Sequence, residues 1–94
     1  MKPTDAVEIP SHAMARQVGD ELVILDLASG SYFGLDAIGA RVWQLISEGK
    51  NLAQTIEVML TEYEVERSQL ESDLLALAER LMAQGLLTLR HESG

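Results

Sequence analysis

Between Glu21 and Trp43 the chain spells a strand, a tight turn, a second strand and a helix start with almost no connecting length, and this limits the folds open to it. Glu21 to Leu27 holds Leu22, Val23, Ile24, Leu25 and Leu27, apolar on both alternating faces. The pattern predicts a central strand with both faces at least partly covered. Ala28-Ser29-Gly30 forms a short turn, and Ser31-Tyr32-Phe33-Gly34-Leu35 returns as an antiparallel strand. Asp36 then offers a carboxylate to the free backbone N–H groups of a helix start. A short sheet edge held beside a helix suits the capture of an extended peptide.

The rest of the chain is read outward from this segment. His12 to Val18 is compatible with a strand, and Gly19-Asp20 supplies the Gly-X pair of a type II′ hairpin, so three strands form a meander. Residues 1–11 contain Pro3 and Pro10 and little periodicity, which predicts a flexible, loosely tied N-terminal arm before a domain over 12–94. After Asp36, Ile38, Val42, Leu45 and Ile46 share a helical face, and Gly49 closes that helix. Asn51 and Gln54 form a capping box for a second helix carrying Leu52, Ile56, Met59, Leu60 and Tyr63. A third helix runs from about Glu66 or Ser68 to Gln84, with Ser68 and Glu71 as another capping box, a stripe of Leu70, Leu74, Leu77 and Leu81, and Gly85 as its stop. Leu86-Leu87-Thr88-Leu89 is expected as a final extended segment sealing the core. The order gives an α+β, winged helix-turn-helix-like domain: a three-stranded antiparallel N-terminal sheet packed on three C-terminal helices.

Composition narrows the function classes. Ninety-four residues bury one core and no more, and no apolar run approaches the roughly 20 residues that span a bilayer. The polar N-terminus lacks a signal-peptide pattern, so the expected location is cytoplasmic, with no membrane partner. Cysteine is absent, which removes disulfides, thiol nucleophiles and cysteine metal sites. His12 and His91 have no nearby ligand pattern, so no metal is expected. There is no phosphate loop and no nucleophile elbow, and the carboxylates sit at helical surface spacings; no catalytic residue and no cofactor is expected. A winged-helix DNA-binding regulator is the remote alternative. It is disfavoured by the formal charge of −8 and by a third helix carrying Glu66, Glu71, Asp73 and Glu79 against Arg67 and Arg80.

Leu25-Asp26-Leu27-Ala28-Ser29-Gly30-Ser31-Tyr32-Phe33-Gly34-Leu35-Asp36, followed by Gly39-Ala40-Arg41-Val42-Trp43, resembles the signature of PqqD-like proteins, the peptide-recognition elements of ribosomally made, modified peptide pathways. The resemblance continues through Leu52 to Tyr63, Leu70-Glu71-Ser72-Asp73-Leu74 and Gly85-Leu86-Leu87. Where the namesake of pyrroloquinoline quinone synthesis usually has a Pro-Glu-Gly turn, Leu27-Ala28-Ser29-Gly30 stands here, closer to the stand-alone proteins of lasso-peptide clusters. The resemblance implies a non-catalytic adaptor that binds a precursor's leader as a strand added to the Ser31–Leu35 strand, against the third helix. It also implies presentation to a leader peptidase resembling a cysteine protease and to a cyclase; the alternative is a PqqD-type peptide chaperone serving a radical enzyme. The peptide-binding residues expected are Ser31, Tyr32, Phe33, Gly34 and Leu35 on the strand, and Leu70, Asp73, Leu74, Leu77 and Arg80 on the helix. Spacings of three and four put Asp73, Leu77 and Arg80 on one flank of the leucine stripe, where Asp73 would meet a leader cation and Arg80 a leader carboxylate. Phe33 and Trp43 also read as core anchors, and the free strand edge leaves the chain a monomer or weak dimer.

Overall fold

Leu22 and Ile24 from one strand and Leu35 from the next face a common interior with Val42, Leu45 and Ile46 of a helix, and the fold is built around that contact. A computed structural model describes residues 1–90. Along the chain these are β1 (Val7–Glu8), β2 (Ala13–Val18), β3 (Glu21–Asp26), β4 (Tyr32–Leu35), α1 (Ala37–Ser47), α2 (Leu52–Glu62), α3 (Arg67–Ala83) and β5 (Thr88–Leu89). The expected meander is present as an antiparallel sheet in the order β2-β3-β4, followed by three helices. The strand expected at Ser31–Leu35 is therefore β4, and it lies at one edge of the sheet.

Local chemistry explains the turns. Gly19 adopts φ +65 between Val18 and Glu21, which pair directly, as a Gly-first hairpin requires. At the β3–β4 turn the buried Asp26 carboxylate accepts from the Ala28 and Ser29 amides and from the Ser29 hydroxyl, the last at 2.9 Å. The Ser29 hydroxyl bond, more than any other contact, holds the Asp26 carboxyl below the usual carboxylate range, with partial burial opposing it. Asp36 caps α1, its Oδ1 accepting from the Gly39 amide at 2.8 Å, and the Asn51–Gln54 capping box of α2 is formed in both directions. Arg41 joins α1 to the end of α2 through two bonds to the Glu62 carboxylate, of 2.8 and 2.6 Å.

Three features differ from expectation. Ser68 lies inside α3, whose N-cap is Glu66 in extended conformation; Ser68 donates its hydroxyl proton to Glu66, and Glu71 lies 3.9 Å from Arg67 instead of returning to a cap. The strand β3 buries Leu22 and Ile24 almost completely, but Val23 and Leu25 on its other face are only half-covered by the described residues. Residues 1–11, expected as a flexible arm, are tied to the domain. Val7 is buried in the core, Val7 and Glu8 pair antiparallel with Leu89 and Thr88, and Pro3 accepts a backbone bond from Ala53. The physical reason is apolar: Leu86 and Leu87 leave α3 into the core, and Val7 closes over them beside α1. His91 lies outside the described residues; His12 Nε2 sits 2.8 Å from the Gly85 carbonyl oxygen, a structural tie.

Candidate functional site

The free edge of β4 opens onto a groove of 580 Å³ whose far wall is α3. Its lining is Gly34, Leu35, Asp36, Ile38, Gly39 and Val42 on the strand and α1 side, and Asp73, Leu74, Ala76, Leu77 and Arg80 from α3. Six of the ten residues expected from sequence therefore line one groove: Gly34, Leu35, Asp73, Leu74, Leu77 and Arg80. The other four stand differently. Leu70 is 5% exposed and belongs to the core under the start of α3, away from the groove lining. Ser31 is exposed before the strand begins, Tyr32 projects from the outer face of the sheet at 73% exposure, and Phe33 packs partly against the core.

The strand contributes its backbone in a fixed alternation. Asp26 and Ser31 are direct partners joined by the Asp26 N–H to the Ser31 carbonyl at 2.8 Å. In an antiparallel ladder bonded pairs alternate with unbonded ones, so Phe33 and Leu35 turn their N–H and C=O groups toward Ile24 and Leu22. Tyr32 and Gly34 turn theirs outward, to the open edge. Side chains follow the complementary rule: Phe33 and Leu35 face inward, Tyr32 and Gly34 outward. A Cβ built on Gly34 would meet none of the described residues within 4 Å, so no contact among them requires glycine there. At Gly39 the opposite holds. Its Cβ would lie 3.2 Å from Leu35 Cβ and 3.0 Å from Leu35 Cδ2, so the missing side chain is what lets α1 start so close to the end of β4.

The groove lining is mostly apolar, with Leu35, Ile38, Val42, Leu74 and Leu77, and its charged residues are Asp36, Asp73 and Arg80. Asp73 is exposed and held by Gln69, whose amide donates at 2.8 Å; Arg80 lies with its guanidinium 5.4 Å from the centroid of the Phe33 ring. Among the described residues neither charge makes an ion pair. Sequence reasoning placed Ile38 on the buried face of α1, yet it is 37% exposed at the groove mouth. The apolar arc of α1 is wider than one stripe, which was the available signal. Such a site can hold an extended apolar segment by main-chain bonds along one side and side-chain pockets along the other. Among the described residues no group of His, Cys, Asp or Glu is arranged to hold a metal, and no helix is long and apolar enough to cross a membrane.

Comparison with known proteins bears on the whole arrangement. The family described as Coenzyme PQQ synthesis protein D (PqqD) matches residues 21–87. No curated protein sequence matches the chain. Among solved structures, TbiB1 in complex with the TbiA(beta) leader peptide is 35% identical, with a TM-score of 0.83 over 90% of this chain and 99% of that one. A lasso peptide synthetase B1 complexed with the leader peptide is 29% identical, with a TM-score of 0.79 over 87% of this chain and 96% of that one.

Proposed function

Since the chain belongs to the PqqD family, we propose that it is a non-catalytic adaptor that binds the leader segment of a ribosomally made precursor peptide in lasso-peptide biosynthesis. The observation that carries this reading is the open β4 edge beside the β4–α3 groove, in a chain superposing along most of its length on two proteins bound to leader peptides. The leader adds as a further strand, bonding to the outward N–H and C=O groups of Tyr32 and Gly34. Its inward side chains enter the apolar groove between Leu35, Ile38, Leu74 and Leu77, while Asp73 and Arg80 meet leader charges. Ser31 and Phe33 act through position, one leading into the strand and the other carrying Arg80.

A flexible leader loses conformational entropy on docking, so affinity rests on the ladder and a few anchors. The adaptor's gain is effective concentration: a leader peptidase resembling a cysteine protease, and then a cyclase, meets a held substrate without any catalytic group from this chain. The reaction is expected in the cytoplasm. The resemblance to lasso-type recognition proteins leads one to expect a leader that places an aromatic residue and a proline, in a Tyr-x-x-Pro pattern, in the apolar pocket. The test is calorimetric titration with a synthetic leader containing that pattern, beside a control with both named positions changed to alanine. Saturable binding lost in the control supports the lasso reading. No binding to either peptide overturns it and moves the substrate to another modified-peptide pathway, the quinone precursor first.

A further inference from the structure

We infer that the groove has an electrical direction and selects leaders in which a basic, an apolar and an acidic residue follow one another, in that order, at alternate positions. This rests on the leader-binding reading and adds a charge order to it. Arg80 sits over Phe33, toward the beginning of β4. From there the groove's two walls run side by side: α3 goes back to Asp73, and the strand side goes on through Gly34 and Leu35 to Asp36 and Ile38. On this assignment Asp36 and Asp73 share one end of the groove and the Arg80 guanidinium marks the other, with Leu35, Leu74 and Leu77 lining it between them. The Gly85 carbonyl, just past the end of α3, lies 2.8 Å from His12 Nε2, and the His12 carbonyl accepts from Leu27 at the β3–β4 turn, so the last turn of α3 sits by the start of β4 and the helix is taken to run opposite to the strand.

The sheet is antiparallel throughout, and antiparallel pairing is the more stable kind, so an added strand runs opposite to β4 and hence alongside α3 in the same direction. Its first residues pass the carboxylates and its later ones pass Arg80. Asp73 and Arg80 are seven positions apart on α3, about 10 Å along the helix axis. Strand side chains face the groove at every second residue, and three such positions span roughly 13–14 Å, which is the same length once the reach of an arginine is added. The pattern read is thus a cation at position i, an apolar anchor at i+2 and a carboxylate at i+4.

Two isomeric synthetic leaders test this. In one, Lys stands two residues before the Tyr of Tyr-x-x-Pro and Glu two residues after it; in the other Lys and Glu are exchanged. At low salt the Lys-first peptide is expected to bind about tenfold more tightly, the preference shrinking in about 0.5 M NaCl as surface charges are screened. The doubly reversed variant D73K/R80E, altered only at exposed positions and checked by circular dichroism, is expected to prefer the Glu-first peptide. Equal affinities for the two isomers, or a preference that does not invert in the variant, overturn the charge order while leader binding stands. If neither isomer binds, the lasso-leader reading fails and this inference fails with it.

Discussion

Leu70 and Leu77 occupy the same helical stripe two turns apart, and truncating each to alanine should separate folding from binding. The substitution removes three carbons, about 2.4 kcal/mol of transfer free energy at roughly 0.8 kcal/mol per methylene. Leu70 is almost fully buried and does not line the groove. Leu70→Ala should therefore lose that amount plus a cavity term, about 3 kcal/mol of stability, with the leader affinity of the folded protein unchanged. Leu77 is half-buried and lines the groove, so part of its surface leaves water only when the leader covers it. Leu77→Ala should cost about 1 kcal/mol of stability and about 1 kcal/mol of binding, the latter near fivefold in Kd. Urea denaturation read by circular dichroism gives the first quantity, and calorimetry with the Tyr-x-x-Pro leader the second. The reasoning is refuted if Leu70→Ala weakens binding as much as Leu77→Ala, or if Leu77→Ala costs stability alone.

Gly34→Pro should remove one outward donor from β4 without touching the ladder to β3, leaving the circular dichroism spectrum intact and lowering leader affinity about tenfold; unchanged affinity would mean that the leader does not pair there. Tyr32→Ala should leave stability within about 0.5 kcal/mol, since the side chain is exposed on the outer face. In calorimetry it should weaken binding by no more than the roughly 1 kcal/mol of a cross-strand pair, and a larger loss would place Tyr32 inside the recognition pocket. Asp26 has a depressed carboxyl, so the stability it adds is present above its unfolded value and is lost as pH falls through the lower folded one. The difference in urea midpoint between the parent and Asp26→Asn should accordingly be constant at neutral pH and shrink in acid below the ordinary carboxylate range; a difference that grows in acid would contradict the sign.

Local signals carried most of the secondary structure. The Asn51–Gln54 box, the Gly19-Asp20 hairpin and the Asp36 cap are contacts between residues no more than a few positions apart, and all three form as their chemistry demands. The pairing of Val7–Glu8 with Thr88–Leu89 left no trace, because two short strands meeting from opposite ends of the chain have no periodicity to show. At Ser68 a capping-box spacing was present but was overruled once the helix began at Arg67. Helical spacing put Asp73, Leu77 and Arg80 on one flank of α3, and all three line the groove. It failed to separate Leu70 from them, since a stripe does not say at which turn a neighbouring layer ends. Ile38 needed tertiary information too: only the close approach of α1 to β4, permitted by Gly39, brings it to the groove mouth.

The β1–β5 clasp has a consequence for topology. Ala6 accepts a bond of 2.8 Å from the Arg90 amide, and Arg90 lies 3.6 Å from Glu8, so the first and last strands are fastened side by side. In space the domain is close to a ring with one cut in it. A short linker could close that cut and the Gly19-Asp20 turn could be opened in its place, with little change in loop-closure entropy. By the same geometry the unit can sit inside another protein's surface loop as a cassette, entering and leaving at nearly one point, with the β4 edge still open to a peptide.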